Sequence, residues 1–296
     1  MKPSAGERVA DVLLALLKAI CYLGLFLGSQ VLVMMPVVIA FAIQAAVGGG
    51  EVDQGTLMQV LTDQSMKYSL IANMLTLVVI MIFYLIRRKK FSEALWLRKV
   101  DAPTLWEGVA FAPGLYLIVS AVLFALPESW LESYNEASAG ITTGGVVGVL
   151  AVVVAAPVVE EIVFRGLIMT RLSRAMPGWL AVLLSAAIFG ACHGHPVWFG
   201  YAFALGTVFG FMDLRAGSIW PSVLGHVAFN SFSQIITVLP ENDETEIMFL
   251  AVLLILAVAA PIVDRAAARA RRKAQAAPVQ ELPAAPGVYE FDPWDV

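Results

Sequence analysis

Charge and cysteine are both scarce in this chain. Only 14% of the 296 residues are charged, whereas a soluble domain carries about 25%. Hydrophobic residues make up 59% of the sequence, and the mean hydropathy is +0.80. The two cysteines, Cys21 and Cys192, both lie within apolar runs and offer no CxxC metal pair or disulfide framework. This excludes a secreted, disulfide-stabilised enzyme and indicates a polytopic membrane protein.

Three further patterns are missing. There is no HExxH element, so a zinc site does not follow from local spacing. No small-residue cleavage site follows a short apolar core near the start of the sequence, so we expect no removable signal peptide. No internal repeat is visible, although inverted repeats are typical of many transporters. Function must therefore be sought in the few polar residues that the apolar runs contain.

Long apolar runs fill most of the sequence and predict an all-α polytopic membrane protein with about eight transmembrane helices. Basic connections follow spans two, four, six and eight, and acidic connections follow spans one, three and seven. Because basic loops stay in the cytoplasm, we expect both termini there. The predicted spans are 19–50, 68–86, 105–126, 146–169, 179–195, 197–212, 218–239 and 247–263.

The connections suggest how the chain is organised. The segment 91–104 mixes tryptophan with charged residues and predicts an interfacial helix, whereas 127–145 predicts a loop. The tail is rich in alanine and proline and is expected to be disordered. The predicted units are an N-terminal part with three spans (1–145), a four-span core (146–239), a last helix with a basic extension (240–273) and the tail (274–296).

Glu160, Glu161 and Arg165 interrupt the fourth apolar run. One ion at the centre of a membrane helix costs roughly 2.5–3.5 kcal/mol on insertion scales, so such residues usually face a polar cavity. Glu161 and Arg165 share a helix face and can pair, while Glu160 points about 100° away. Glu160 is therefore the better reactive carboxylate, and repulsion between the two acids favours base chemistry near neutral pH. The alternative is a structural ion pair at the membrane edge.

All three histidines lie in the second half of the chain, within apolar sequence. His226 and Asn230 are four residues apart and project from one helical face, whereas only one of His193 and His195 can face a given site. A lone membrane histidine more often makes an interhelical hydrogen bond, and His195 is expected to be structural. A rise of about 1.5 Å per residue places Glu160 and His226 near the cytoplasmic side but His193 near the opposite side.

Two carboxylates, a histidine and a His/Asn pair suit the hydrolysis of a peptide bond. A carboxylate base can activate water, and asparagine and histidine can donate hydrogen bonds to a developing oxyanion. Alternatively, two histidines and a carboxylate can hold a zinc ion that lowers the pKa of the water. The zinc ligands would then have to come from separate helices.

Three short motifs occur in order on successive apolar segments. They are Glu160-Glu161-x-x-x-Arg165, Phe189-x-x-x-His193 and His226-x-x-x-Asn230. In this order they resemble the three motifs of the CAAX protease and bacteriocin-processing (CPBP, or Abi) family of intramembrane proteases, which includes the type II CAAX prenyl endopeptidases. The resemblance covers about residues 146–239.

The resemblance implies a role for the carboxylates. Glu160 would be the general base that activates water. Glu161 would orient the site, with Arg165 as its structural partner.

The resemblance also implies roles for the other motif residues. His193 and His226 would position the water or bind a metal, Asn230 would help to stabilise the oxyanion, and Phe189 would be a packing residue. The family is described both as metalloproteases and as a glutamate-dependent class. Zinc held by Glu160, His193 and His226 is therefore one expectation, and catalysis without a metal is the other.

The favoured function is an intramembrane endopeptidase that cleaves a membrane-associated, prenylated or leader-type peptide. The expected partners are membrane lipid and a peptide or protein substrate, with no nucleic acid. Short loops suit a bacterial inner (plasma) membrane. One alternative is a proton-coupled transporter that uses the acids and histidines as a relay. The other is a non-catalytic membrane immunity or scaffold protein.

Overall fold

The computed structural model describes residues 5–48, 53–139, 145–239 and 242–276. Every regular element within these ranges is helical, which confirms the predicted all-α class. The helices are α1 (Ala5–Gly48), α2 (Gln54–Asp63), α3 (Ser65–Ile86), α4 (Phe91–Ala94), α5 (Ala102–Phe124), α6 (Glu128–Ala139), α7 (Gly145–Ala175), α8 (Gly178–Ala191), α9 (Pro196–Ala216), α10 (Trp220–Val238) and α11 (Asp243–Ala276).

Five helices in the described part of the chain are long and apolar enough to cross a membrane: α1, α3, α5, α7 and α9. The protein is therefore a polytopic membrane protein, as predicted. The number of eight spans and the cytoplasmic position of both termini stay predictions. The predicted tail, 274–296, lies outside the described residues except for its first three positions, which continue α11.

Helix α1 begins well before the first predicted span, 19–50. It is 44 residues long and runs from Ala5 to Gly48. Ala15, Ala19 and Phe26 recur at helical spacing, and all three are buried where α1 packs against α3 and α7. At about 1.5 Å per residue the helix is longer than a hydrocarbon core of about 30 Å.

The segment 91–104 differs from the predicted interfacial helix. Its first part is helical only over Phe91–Ala94, the chain then turns inward instead of lying along a surface, and the last three residues already belong to α5. Leu95 is fully buried. The carbonyl oxygen of Trp96 accepts a hydrogen bond from the amide of Ile219 at 3.1 Å. Leu95 is therefore packed in the core, and the hydrogen bond to Trp96 connects this segment to the start of α10.

Two other connections also differ from the sequence prediction. The predicted loop 127–145 contains the 12-residue helix α6. The fourth predicted span, 146–169, continues as a helix beyond its predicted end, through Arg171 to Ala175. The break comes at Pro177, which precedes α8. A basic residue in a helix does not end it, whereas proline restricts the residue before it and cannot donate a backbone hydrogen bond.

Helices α5 and α10 approach each other at a pair of glycines. A Cβ atom added to Gly108 would overlap the carbonyl oxygen of Pro221 and lie 3.0 Å from the Cα of Gly225. Small residues let membrane helices pack closely where apolar burial alone provides little driving force. The crossing also places the fully buried Glu107 in an ion pair with Arg215 of α9.

Helix α7 lies at the centre of the molecule and contacts α1, α3, α8 and α10. Two of its segments, Ala151–Ala155 and Ile162–Met169, are π-helical. All eight residues of the second π segment are buried. Short π segments within α-helices frequently mark functional sites. The two adjacent glutamates lie in the short α-helical stretch between these segments.

Candidate active site

Glu161 is the centre of a buried polar cluster. Its carboxylate is fully buried, forms an ion pair with Arg165 and accepts a hydrogen bond from His226. The Nε atom of Arg165 lies 3.2 Å from Oε2, and Nδ1 of His226 lies 2.8 Å from Oε1. The predicted pairing of Glu161 with Arg165 is therefore present. A buried carboxylate requires such partners because its desolvation is otherwise uncompensated, so Glu161 is held in place and shielded from water.

The bond to Glu161 also fixes the tautomer of His226. The Nδ1–H group donates to the carboxylate, so in a neutral imidazole Nε2 carries a lone pair. This Nε2 faces Glu160, whose Oε2 lies 3.8 Å away. The separation is too long for a direct hydrogen bond. It leaves a carboxylate oxygen and an imidazole nitrogen facing each other across a narrow gap.

Glu160 differs from its neighbour in its access to water. Its side chain is 18% exposed, whereas that of Glu161 is fully buried. It forms part of the wall of a cavity of about 200 Å³, which is room for several waters at roughly 30 Å³ each. The polar residues of this wall come from α1, α3, α7 and the turn after α8: Gln30, Ser69, Asn73, Glu160, Cys192 and His193.

His193 lines the same cavity as Glu160, so the predicted conflict in depth is absent. The rise count treated 179–195 as a continuous span, but α8 has only 14 residues and ends at Ala191. His193 follows in a turn, with its Nδ1 2.9 Å from the carbonyl oxygen of Phe189. An imidazole that donates from Nδ1 to this carbonyl keeps Nε2 available for other partners.

His195 lies at the N-terminus of α9, apart from the residues that line the cavity. Its Nδ1 accepts a hydrogen bond from the amide of Val197 at 3.2 Å and caps this helix. Its Nε2 lies 3.1 Å from the hydroxyl of Ser133 on α6. Both ring nitrogens therefore have partners, and the contact with Ser133 joins α9 to α6, which agrees with the expected structural role.

Phe189 packs against both site histidines. Its ring centroid lies 4.8 Å from that of His193 and 5.8 Å from that of His226. The guanidinium of Arg165 lies 4.7 Å from the same centroid, a geometry that favours a cation–π interaction. The predicted packing residue therefore contacts both imidazoles and also supports the buried cation.

Asn230 reaches α7, but one of its donors is already used. Its Nδ2 donates to the carbonyl oxygen of Val152 at 2.9 Å, within the first π segment. This bond ties α10 to α7. The side-chain amide keeps a second N–H group, and the predicted oxyanion role would depend on that group facing a substrate.

The donor set does not form a ready metal site. Within the described ranges, no three His, Cys, Asp or Glu side chains are grouped so that they could hold a metal ion. The ring of Phe189 packs against both histidines that zinc would need. The zinc expectation stays a prediction, and no catalytic step below is derived through a metal.

Several polar residues around the site were not predicted. The hydroxyl of Ser185 on α8 donates to the carbonyl oxygen of Phe164 at 2.8 Å, within the second π segment. Asn73 is buried on α3 and lines the cavity. Asp213, which appeared to belong to a turn, is fully buried in α9 and accepts from the amide of Ser222 at 3.1 Å. The sequence feature that could have pointed to them is an isolated polar residue within or beside an apolar run.

The geometry describes a membrane protein with a carboxylate and an imidazole facing each other at a polar cavity between helices. The family model of "Type II CAAX prenyl endopeptidase Rce1-like" matches residues 142–232, a range that contains all three motifs. The "Putative membrane peptidase YdiL" of Bacillus subtilis (strain 168) is 31% identical over 90 residues, which are 30% of this chain and 37% of that relative. No solved structure matches.

These comparisons support the family that the motifs predicted. Residues 142–232 of this chain are similar to the Rce1-like type II CAAX prenyl endopeptidases, a group within the family that the motifs resemble. The match spans little more than a third of the length of the curated relative. The similarity covers the part of the chain that carries the site, and the helices on either side extend beyond the match.

Proposed function

We propose that this protein is an intramembrane endopeptidase in which Glu160 activates a water molecule for attack on a peptide carbonyl. One observation carries the proposal. Glu160 is the partly exposed carboxylate at the wall of a polar cavity, and it faces Nε2 of His226 across 3.8 Å. A gap of this size between two hydrogen-bond acceptors suits a bridging water, which donates one hydrogen to each.

In the proposed reaction Glu160 takes a proton from this water while the oxygen attacks the carbonyl carbon. Nε2 of His226 accepts the second hydrogen of the water and orients the nucleophile. Glu161 keeps the imidazole in the required tautomer, the role that a buried carboxylate has beside a catalytic histidine elsewhere. The proton held by Glu160 then passes to the amine nitrogen as the C–N bond breaks.

The remaining motif residues have supporting roles. His193 lines the cavity beside Glu160, and its Nε2 is proposed to position the water or the scissile carbonyl. The free N–H group of Asn230 is proposed to stabilise the oxyanion.

The proposed substrates are membrane-associated peptides, because the cavity lies between helices that are long and apolar enough to cross a bilayer. Leader-type and prenylated peptides both belong to this class. The bacterial source of the matched relative supports a bacterial plasma membrane as the location. The transporter and scaffold alternatives have no comparable observation in their favour and stay predictions.

The test compares membranes from cells that express the wild-type chain, Glu160→Gln or Glu136→Gln. Glu136 is exposed on α6, so its substitution removes a carboxylate without touching the site. Quantitative mass spectrometry of new peptide termini should find the same set for wild type and Glu136→Gln, and none of that set for Glu160→Gln. Retention of the termini in Glu160→Gln would contradict the base assignment, and their absence in wild type would contradict a peptidase.

A further inference from the structure

A second cavity, of about 400 Å³, lies between α1, α3 and α7. We name it the basic cavity, because four cations line it: Lys18, Arg87, Lys89 and Arg171. Along α7 its lining residues, Leu167 and Arg171, follow Glu160 and Phe164 of the candidate active site. About 1.5 Å per residue places it roughly 10 Å further along α7. It is therefore a separate site on the same helix.

Within the described ranges, no acidic side chain pairs with the cations of the basic cavity. Among the residues that the structure describes, no carboxylate lies within ion-pair distance of any of the four cations. Lys18 interacts electrostatically with Arg171, Lys89 and Arg87, and also with Arg174 nearby. Several like charges at the edge of a low-dielectric region repel one another. An anionic ligand would remove this repulsion.

A buried hydroxyl points to the same kind of ligand. Tyr84 lines the basic cavity and is only 2% exposed. Tyr22 and Arg171 lie close enough to interact with its hydroxyl. Neither contact has good hydrogen-bond geometry, and the hydroxyl has no other partner within the described ranges. A buried donor without a partner destabilises a protein, so an acceptor in the cavity would complete the site.

The other walls of the basic cavity are apolar. They are formed by side chains such as Leu25, Val79, Ile80 and Phe83, and the guanidinium of Arg87 lies 5.1 Å from the ring centroid of Phe83. Phe83 and Val79 are also partly exposed on the outer surface of a helix apolar enough to cross a membrane. The ligand therefore has an anionic group for the cations and a hydrocarbon part for these side chains.

We propose that the basic cavity binds the phosphate headgroup of an anionic membrane phospholipid. Arg and Lys side chains pair with the phosphate oxygens, Tyr84 donates its hydroxyl to one of them, and an acyl chain runs along Val79 and Phe83. Basic pockets between membrane helices bind anionic headgroups in this way. The proposal does not depend on peptidase activity, because binding can be measured without a substrate.

The experiment uses the full chain in nanodiscs of phosphatidylcholine with a fluorescent phosphatidylglycerol as the probe. Lys18→Gln/Arg171→Gln removes two charges from the cavity, and Arg88→Gln/Lys99→Gln removes two from exposed positions outside its wall. We expect the cavity variant to bind the probe roughly thirty-fold more weakly, the change implied by two lost Lys or Arg contacts with an anionic membrane surface. We expect little change for the exposed variant.

A second pair of variants leaves every charge in place. Tyr84→Phe removes only the hydroxyl and should weaken probe binding several-fold, whereas Tyr68→Phe, on the same helix but outside the cavity wall, should not. Equal losses in both charge variants would show general surface attraction and overturn the proposal. Displacement of the probe by millimolar inorganic phosphate as readily as by unlabelled phosphatidylglycerol would also overturn it, in favour of a soluble anion site.

Discussion

At the scale of residues, two adjacent glutamates have opposite environments. Glu161 is enclosed between Arg165 and His226, while Glu160 reaches a polar cavity. A helix turns by about 100° per residue, so neighbours in sequence face different directions. The paired motif therefore buries Glu161 among fixed partners and places Glu160 where water can reach it.

This difference predicts different consequences for the two amide substitutions. Glu161→Gln leaves the cation of Arg165 buried without its counter-ion, and breaking a buried pair in this way costs about 3–5 kcal/mol. Glu160→Gln removes no such partner and should change the free energy of unfolding far less. Thermal unfolding of both variants in the same detergent measures the difference. Equal stability of the two variants would contradict the assigned environments.

Some of the site followed from the sequence and some of it did not. The pairing of Glu161 with Arg165 follows from a spacing of four on one helix, and it is present. The bond between His226 and Glu161 joins residues 65 positions apart, so it depends on how α10 packs against α7. Local spacing carries no information about such a contact. The same holds for Asn230, whose amide is used by the carbonyl of Val152.

At the scale of elements, the π segments of α7 explain why polar side chains gather around it. A π segment disturbs the regular ladder of backbone hydrogen bonds, and buried carbonyl groups need partners. Ser185 of α8 supplies one to Phe164, and Asn230 of α10 supplies one to Val152. The neighbouring helices are thereby fixed to the glutamate helix at specific points. Sequence periodicity predicted the helix, but the widened turns were not visible in it.

The close approach of α9 to α7 predicts a second effect. A Cβ atom on Gly206 would lie 3.0 Å from Nη2 of Arg165 and 3.2 Å from the Cβ of Ala186. Gly206→Ala should therefore displace the buried guanidinium and destabilise the protein by about 1–3 kcal/mol, the usual cost of overpacking. Gly200→Ala, on the same helix, meets nothing within 4 Å and should be neutral or slightly stabilising.

Thermal unfolding of the two glycine variants, followed beside wild type, measures this effect. A loss of stability in Gly206→Ala alone supports the tight contact between α9 and the Arg165 side chain. The same change in both variants would mean that helix propensity, and not the space around Gly206, decides the result.

At the scale of the whole molecule, composition was enough to predict a polytopic membrane protein. The chain has few charges, and its long apolar runs can only be buried in a membrane or in a very large core. The bounds of α3 and α5 lie within a few residues of the predicted spans. The structure of the segment 91–104 and of helix α6 was harder to predict, because an amphipathic sequence is compatible with a surface helix, a loop or a packed connection.

The topology gives the last prediction. If basic connections are cytoplasmic, Lys99, after α4, and Glu136, on α6, lie on opposite sides of the membrane. Each is replaced by cysteine in a background with Cys21→Ser and Cys192→Ser, the two native thiols. A membrane-impermeant maleimide should label Glu136→Cys in intact cells and Lys99→Cys only in inverted vesicles, because both positions are exposed. Labelling of both from the same side would contradict the predicted orientation and the single crossing by α5 between them.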